Sequence, residues 1–166
     1  KGAARLVRGQ ALPRRIGDRA LLRNPGQRQV TGGLSILDVR PPKLTRRGAA
    51  RERAEVLADR SGLADGAVEL RHRQLLRSAD LRAMGAAEPS EAVRAGEWLL
   101  DPTYRDTLSA QLVSLVEEHH RTHPLAAGLP TDAARRKLNL PDQTVLTAVL
   151  HVFPATELTI SAGRLR

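Results

Sequence analysis

The stretch GLPTDAARRKLNLPDQTVLTAVL, residues 128–150, packs two short helix starts into 23 positions. Thr131 suits the capping position of a helix beginning at Asp132, whose negative charge also favours a helix N-terminus. Asn139, just after Leu138, suits the left-handed conformation that ends a helix. Pro141 or Asp142 then opens a second helix, where the missing proline N–H costs nothing. Ala134 and Leu138 on the first helix can meet Val145, Leu146, Val149 and Leu150 on the second. This is helix-turn-helix patterning, so the decisive matter is whether it reads nucleic acid. A reading helix needs donors that reach bases or phosphates. From 141 to 151 the non-apolar positions after the proline are Asp142, Gln143, Thr144, Thr147 and His151. None is Lys or Arg, and Asp142 repels phosphate. The cations Arg135, Arg136 and Lys137 lie on the preceding helix. The shape is that of a reader; the charge is that of a spacer or an interaction module.

Working outward, residues 103–122 predict a helix. Tyr104, Leu108, Leu112, Leu115 and Val116 fall on one face, and Pro124 ends the run. ELTISAGRLR, 157–166, alternates apolar and polar residues around an Ala-Gly tip. AVRAGEWLLDP, 92–102, predicts a matching hairpin, with Ala95-Gly96 at its tip and Trp98 and Leu100 coming out. The stretches Val93–Trp98 and Ile160–Leu165 align at an offset of 67 residues. Helix, helix-turn-helix and hairpin is the order of a winged helix, so two such units are expected, 46–102 and 103–166. In the first, residues 49–60 favour helix. Leu75, Leu76, Ala79 and Leu81 predict another over 73–83.

Residues 3–38 read as four short strands and turns. Asn24-Pro25-Gly26 is a turn, with Gly26 free to take a positive φ, and the pair Gly32-Gly33 inside a strand pattern predicts a bulge or bend. This is too little sheet to close a barrel, and it reads as the end of a β-domain. RPPKLTRRG, 40–48, is a linker by composition, with a boundary near 45. The chain begins at Lys1 rather than Met and reads as a piece of something longer. The expected class is α+β: an incomplete antiparallel β-barrel segment (1–45), then two winged-helix domains.

Charge separates these regions. Residues 1–60 hold 15 Lys/Arg against 5 Asp/Glu, a balance of +10; residues 61–166 hold 12 against 13, a balance of −1. The whole excess of +9 therefore sits in the first third, where a local field attracts phosphate backbones in a salt-dependent way. Arg outnumbers Lys 24 to 3, and arginine pairs bidentately with phosphate. Arg-rich codon usage accounts for that ratio but not for the clustering. Aromatic content is 2%, so cores must be built from Leu, Val, Ile and Ala. The absence of Cys excludes disulfides and thiolate metal sites and suits a cytoplasmic setting. No run approaches the ~18 apolar residues of a membrane span.

The order of barrel end, linker and two winged helices resembles the bacterial selenocysteine-specific translation elongation factors. LPRRIGDRALLRNPGQRQVTGGLSILDVRPPKL (12–44) resembles the end of the family's third, elongation factor Tu-like domain, and RTHPLAAGLPTDAARRKLNLP (121–141) is similar to its second winged helix. Residues 62–101 match only by position. The resemblance implies a factor that delivers selenocysteinyl-tRNA to the ribosome at UGA codons, as a cytoplasmic monomer. This piece would link the tRNA-binding barrel to the end that grips the messenger RNA hairpin. GTP and magnesium belong to the family's GTPase domain. No G-x-x-x-x-G-K-[ST] occurs here, with Lys only at 1, 43 and 137, so no catalytic role and no cofactor is expected of this piece. The third and fourth winged helices are also missing from it.

The best polyanion candidates are Arg14, Arg15, Arg19, Arg23, Arg28, Lys43, Arg46, Arg47, Arg51 and Arg53. The family implies contact between the third domain and the tRNA acceptor and T-arms, which points to the same third of the chain. A weaker set is Arg71, Arg73, Arg77 and Arg82 around the first winged helix, with Arg135, Arg136 and Lys137 in the second. His119 and His123, four apart with Glu118 beside them, have ligand spacing, but Pro124 frays the helix there and no third ligand follows; no metal is expected. The alternative from another class is a DNA-binding winged-helix regulator with an accessory β-domain.

Overall fold

The computed structural model describes residues 5–6, 13–24, 26–58, 60–151 and 158–166. Its class is α+β, with three small antiparallel sheets and six helices among those residues and no closed barrel. Most of the apolar stretch at 3–12, expected to hold strands, lies outside the described residues. The elements run β1 (Arg19–Asn24), β2 (Gln29–Ser35), α1 (Ala49–Ala58), α2 (Gly66–Arg73), β3 (Leu75–Arg77) and α3 (Ser78–Ala83). They continue with β4 (Val93–Ala95), β5 (Trp98–Leu100), α4 (Pro102–Thr122), β6 (Leu129–Pro130), α5 (Thr131–Lys137), α6 (Gln143–Leu150), β7 (Ile160–Ser161) and β8 (Arg164–Leu165). No described helix is long and apolar enough to cross a membrane. The chain forms two compact units, one of Lys1–Gly66 with Asp80–Ala87 and one of Ala67–Ala79 with Glu88–Arg166.

In the first unit β1 and β2 make a two-stranded antiparallel ribbon. The register steps between Leu22, opposite Gly32, and Arg23, opposite Val30, so Thr31 is the extra residue of a bulge beside the glycine pair. The left-handed residue of the connecting turn is Arg28 (φ 51) and not Gly26, as expected from the sequence. Asn24 Oδ1 accepts the Gly26 N–H at 3.0 Å and holds Gly26 in the turn without a positive φ. Residues 41–48, expected to be a linker, run without regular structure between anchored ends. Arg40 pairs bidentately with Asp80 at 2.6 Å on both oxygens. Asp38 accepts the Arg40 N–H at 2.8 Å and also engages Arg53 of α1.

In the second unit one topology occurs twice. The sheet orders are β3-β5-β4 and β6-β8-β7, so in each the returning strand of a hairpin lies between its partner and a single earlier strand. A continuous core joins Leu108, Leu112 and Val116 of α4, Ala134 of α5, Val145, Leu146 and Val149 of α6, and Leu165 of β8, together with Ala95 and Leu100 of the earlier hairpin. The α4 side chains follow the 3.6-residue period. Its start is sharper than the periodicity indicates: Asp101 caps it by accepting the Tyr104 N–H at 3.1 Å, and Pro102 occupies the first turn. Asn139 is left-handed (φ 53), as expected, and Asp142 caps α6.

Three sequence expectations are corrected. The single helix expected over 73–83 is present only in its second half, as α3 (Ser78–Ala83); its first half holds the end of α2 at Arg73 and the strand β3. Gln74 takes φ 67 and ends α2, and Leu76 then pairs with Leu99 across the sheet. Long-range pairing overrides local helix propensity there. Thr131 does not cap α5. The chain passes directly from β6 into the helix with Pro130 at the cap position, and the Thr131 N–H instead reaches Gly163 O at 3.0 Å. The first hairpin turns at Gly96-Glu97, since Ala95 is already paired with Trp98.

Candidate nucleic-acid interface

β1 places Arg19, Leu21 and Arg23 on one face by strand alternation, with Ser35, Gly33 and Val30 opposite them on β2. All six are exposed, whereas Ala20, Gly32 and Leu34 of the other face are half-buried. Arg28 is exposed in the turn. Before the ribbon, Arg14 is half-buried and Arg15 exposed. The aliphatic stem of Arg15 lies against Gly85 (φ +88), where an added Cβ would stand 3.4 Å from it. Beyond the ribbon, Lys43 and Arg47 are exposed in the stretch leading to α1. Among the described residues, these seven cations make no ion pair with a carboxylate.

The remaining three of the main set are engaged. Arg46 pairs with Glu52 at 2.5 Å and Arg51 with Glu55 at 3.1 Å, both on the surface, where such pairs are weak and exchange readily with a phosphate. Arg53 is different. It is 8% exposed, and its guanidinium is held by Asp38, whose side chain is 3% exposed. Its charge is engaged inside the first unit, which sets it apart from the exposed members of the set. Nothing in the sequence separates Arg53 from Arg51. The fold does so by bringing Asp38 to one side of α1.

Of the seven cations of the weaker set, Arg73, Arg77 and Arg135 are paired with carboxylates. Arg73 pairs with buried Glu69 at 3.1 Å; Arg77 reaches Glu97 at 3.6 Å and lies over the Trp98 ring, 4.9 Å from its centroid. Arg135 contacts Asp132 at 3.5 Å and donates to Leu140 O at 3.1 Å. Arg71, Arg82, Arg136 and Lys137 are exposed. On α6 the solvent side carries Gln143, Thr144 and Thr147, with Asp142 at the cap and His151 at the far end. The Thr144 N–H and then its hydroxyl, at 2.8 and 3.0 Å, hold the Asp142 carboxyl below the ordinary aspartate range, so this helix presents an anion at its start. The His119 and His123 rings stack 4.8 Å apart, and Thr122 Oγ1 sits 2.8 Å from His123 Nδ1. Among the described residues no group of three or more His, Cys, Asp or Glu is placed to hold a metal ion.

The sequence reading missed the anchors Asp38 and Asp80, which fix the ends of the basic stretch. The Asp-Val-Arg spacing at 38–40, which lets Asp38 bond the Arg40 N–H, was the available signal for the first. No protein-family model matches the chain, and no curated protein matches it.

Proposed function

We propose that this chain is part of a selenocysteine-specific translation elongation factor, in which its first third grips selenocysteinyl-tRNA or ribosomal RNA and its remainder sets the distance to the messenger RNA-binding end. The observation that carries this reading is the set of seven cations, Arg14, Arg15, Arg19, Arg23, Arg28, Lys43 and Arg47, that have no carboxylate partner among the described residues. Uncompensated cationic side chains bind phosphate by releasing counterions, with no need for base contacts. The ribbon is the remnant of a barrel in this proposal, and 46–102 and 103–166 are winged-helix modules. Support for the second module is its order, α4-β6-α5-α6-β7-β8, with three helices and a hairpin around one core. GTP and magnesium act elsewhere in the full-length factor, which engages the messenger RNA hairpin and the ribosome as a cytoplasmic monomer.

The rival reading, a DNA-binding winged-helix regulator, needs cations or amides aimed at a groove from 73–83, where Arg77 lies against Glu97 and Trp98 and Arg82 is exposed, or from α6. On α6, Asp142, Thr144 and Thr147 stand instead, with Gln143 alone of the required kind. Mobility shifts with tRNA and with a random DNA duplex separate the two. The proposal predicts retention of tRNA at low salt, and weakening when Arg28, Lys43 and Arg47 are changed to Glu. Sequence-specific duplex binding that depends on Gln143 and Thr147 would favour the rival, and no tRNA binding at low salt would remove the proposal.

A further inference from the structure

The outward face of the β1–β2 ribbon has a feature that phosphate binding does not use. Its centre is apolar: Leu21 is 71% exposed and Val30 50%. Arg19 and Arg23 flank Leu21 on the same face, and neither has a carboxylate partner among the described residues. Gly33 stands directly opposite Leu21 and Gly32 opposite Leu22, so neither leucine is covered by a cross-strand side chain. The chain itself does not require glycine at either place. Neither has a left-handed φ; a Cβ at Gly32 would meet nothing within 4 Å, and one at Gly33 only Ala20 O at 4.0 Å. Glycine inside a strand weakens it, and a bare strand backbone serves where another main chain approaches closely. A two-stranded ribbon is also marginal alone, and among the described residues no third strand pairs with either edge.

We propose that this face docks a protein partner: an extended segment in which apolar side chains alternate with Asp or Glu. The main chain of that segment passes over Gly33, its apolar residues cover Leu21 and Val30, and its carboxylates meet Arg19 and Arg23. Arg19 and Arg23 also belong to the phosphate-binding set, but over the apolar centre at Leu21 and Val30 an RNA strand fits less well. The ribbon sequences RALLRN and QVTGGLS have no aromatic ring for a base to stack on, and a sugar-phosphate chain gains nothing from Leu21 or Val30. A second copy of the chain is disfavoured by charge, because residues 1–60 carry a balance of +10.

The test uses the whole chain and fluorescence anisotropy with labelled ten-residue probes: an alternating Leu/Glu peptide, an alternating Ser/Glu peptide of equal charge, an alternating Leu/Lys peptide, and oligouridine of ten nucleotides. The Leu/Glu peptide is expected to bind about tenfold tighter than the Ser/Glu peptide, a difference of about 1.4 kcal/mol, and the Leu/Lys peptide to show no binding. Leu21→Ser and Arg23→Glu should each weaken it about tenfold while Leu21→Ser leaves tRNA binding unchanged. Gly33→Val, a substitution that favours the strand, should weaken it too by filling the platform. Equal binding of the Ser/Glu peptide would overturn the proposal, as would indifference to Leu21→Ser. Oligouridine binding that Leu21→Ser abolishes would assign the face to RNA, and a sedimentation shift from dimer to monomer in Leu21→Ser would assign it to a second copy; either result overturns it.

Discussion

Two carboxylates show what a single residue decides here. Asp38 and Arg53 form a buried pair, and removing one partner leaves the other charge desolvated and uncompensated. Arg53→Ala is therefore expected to cost about 3–5 kcal/mol in urea denaturation. Arg47→Ala, at an exposed cation a few residues earlier, should change stability by no more than about 0.5 kcal/mol. Equal effects would mean that the pair does not hold α1. Asp142 is exposed, and its carboxyl is depressed by the Thr144 N–H and hydroxyl. A folded value below the unfolded one adds stability that is complete above the unfolded aspartate range and is lost as pH falls through the folded value. Thermal denaturation from pH 7 to pH 2 should show that component in the native chain, and Asp142→Ala should lack it and melt lower at pH 7.

At the scale of elements, much of the second unit was legible because its signals are local. The period of Leu108, Leu112 and Val116, the left-handed Asn139 and the Ala162-Gly163 tip each follow from residues close in sequence. What escaped was set by distant partners. Gln74 ends α2 because Leu76 pairs with Leu99, and α2 itself, with its polar GAVELRHR sequence, carries no apolar period to announce it. Asp101 was legible only as the residue before a proline, yet it caps the longest helix. Asp101→Ala should lower stability by about 0.5–2 kcal/mol, and Asp101→Ser should recover most of that, in chemical denaturation monitored by circular dichroism. A loss that Ser does not recover would place the role of Asp101 outside capping. The candidate interface was legible as a cluster in sequence, since charge sums need no fold. Which cations remain uncompensated was not, because Asp38, Glu52 and Glu55 select three of them through helix α1 and its packing.

At the scale of the whole molecule, the central claim is a division of labour between an arginine-rich first third and a nearly neutral remainder. Its direct test is the salt dependence of tRNA affinity. With about four to six phosphates neutralised, a plot of log affinity against log salt should have a slope on the order of −3 to −5. Reversing Arg28, Lys43 and Arg47 to Glu should flatten it by about three contacts' worth, while reversing Arg136 and Lys137 should leave it nearly unchanged. A slope near zero in the native chain, or one that only the Arg136 and Lys137 reversal flattens, would contradict the account.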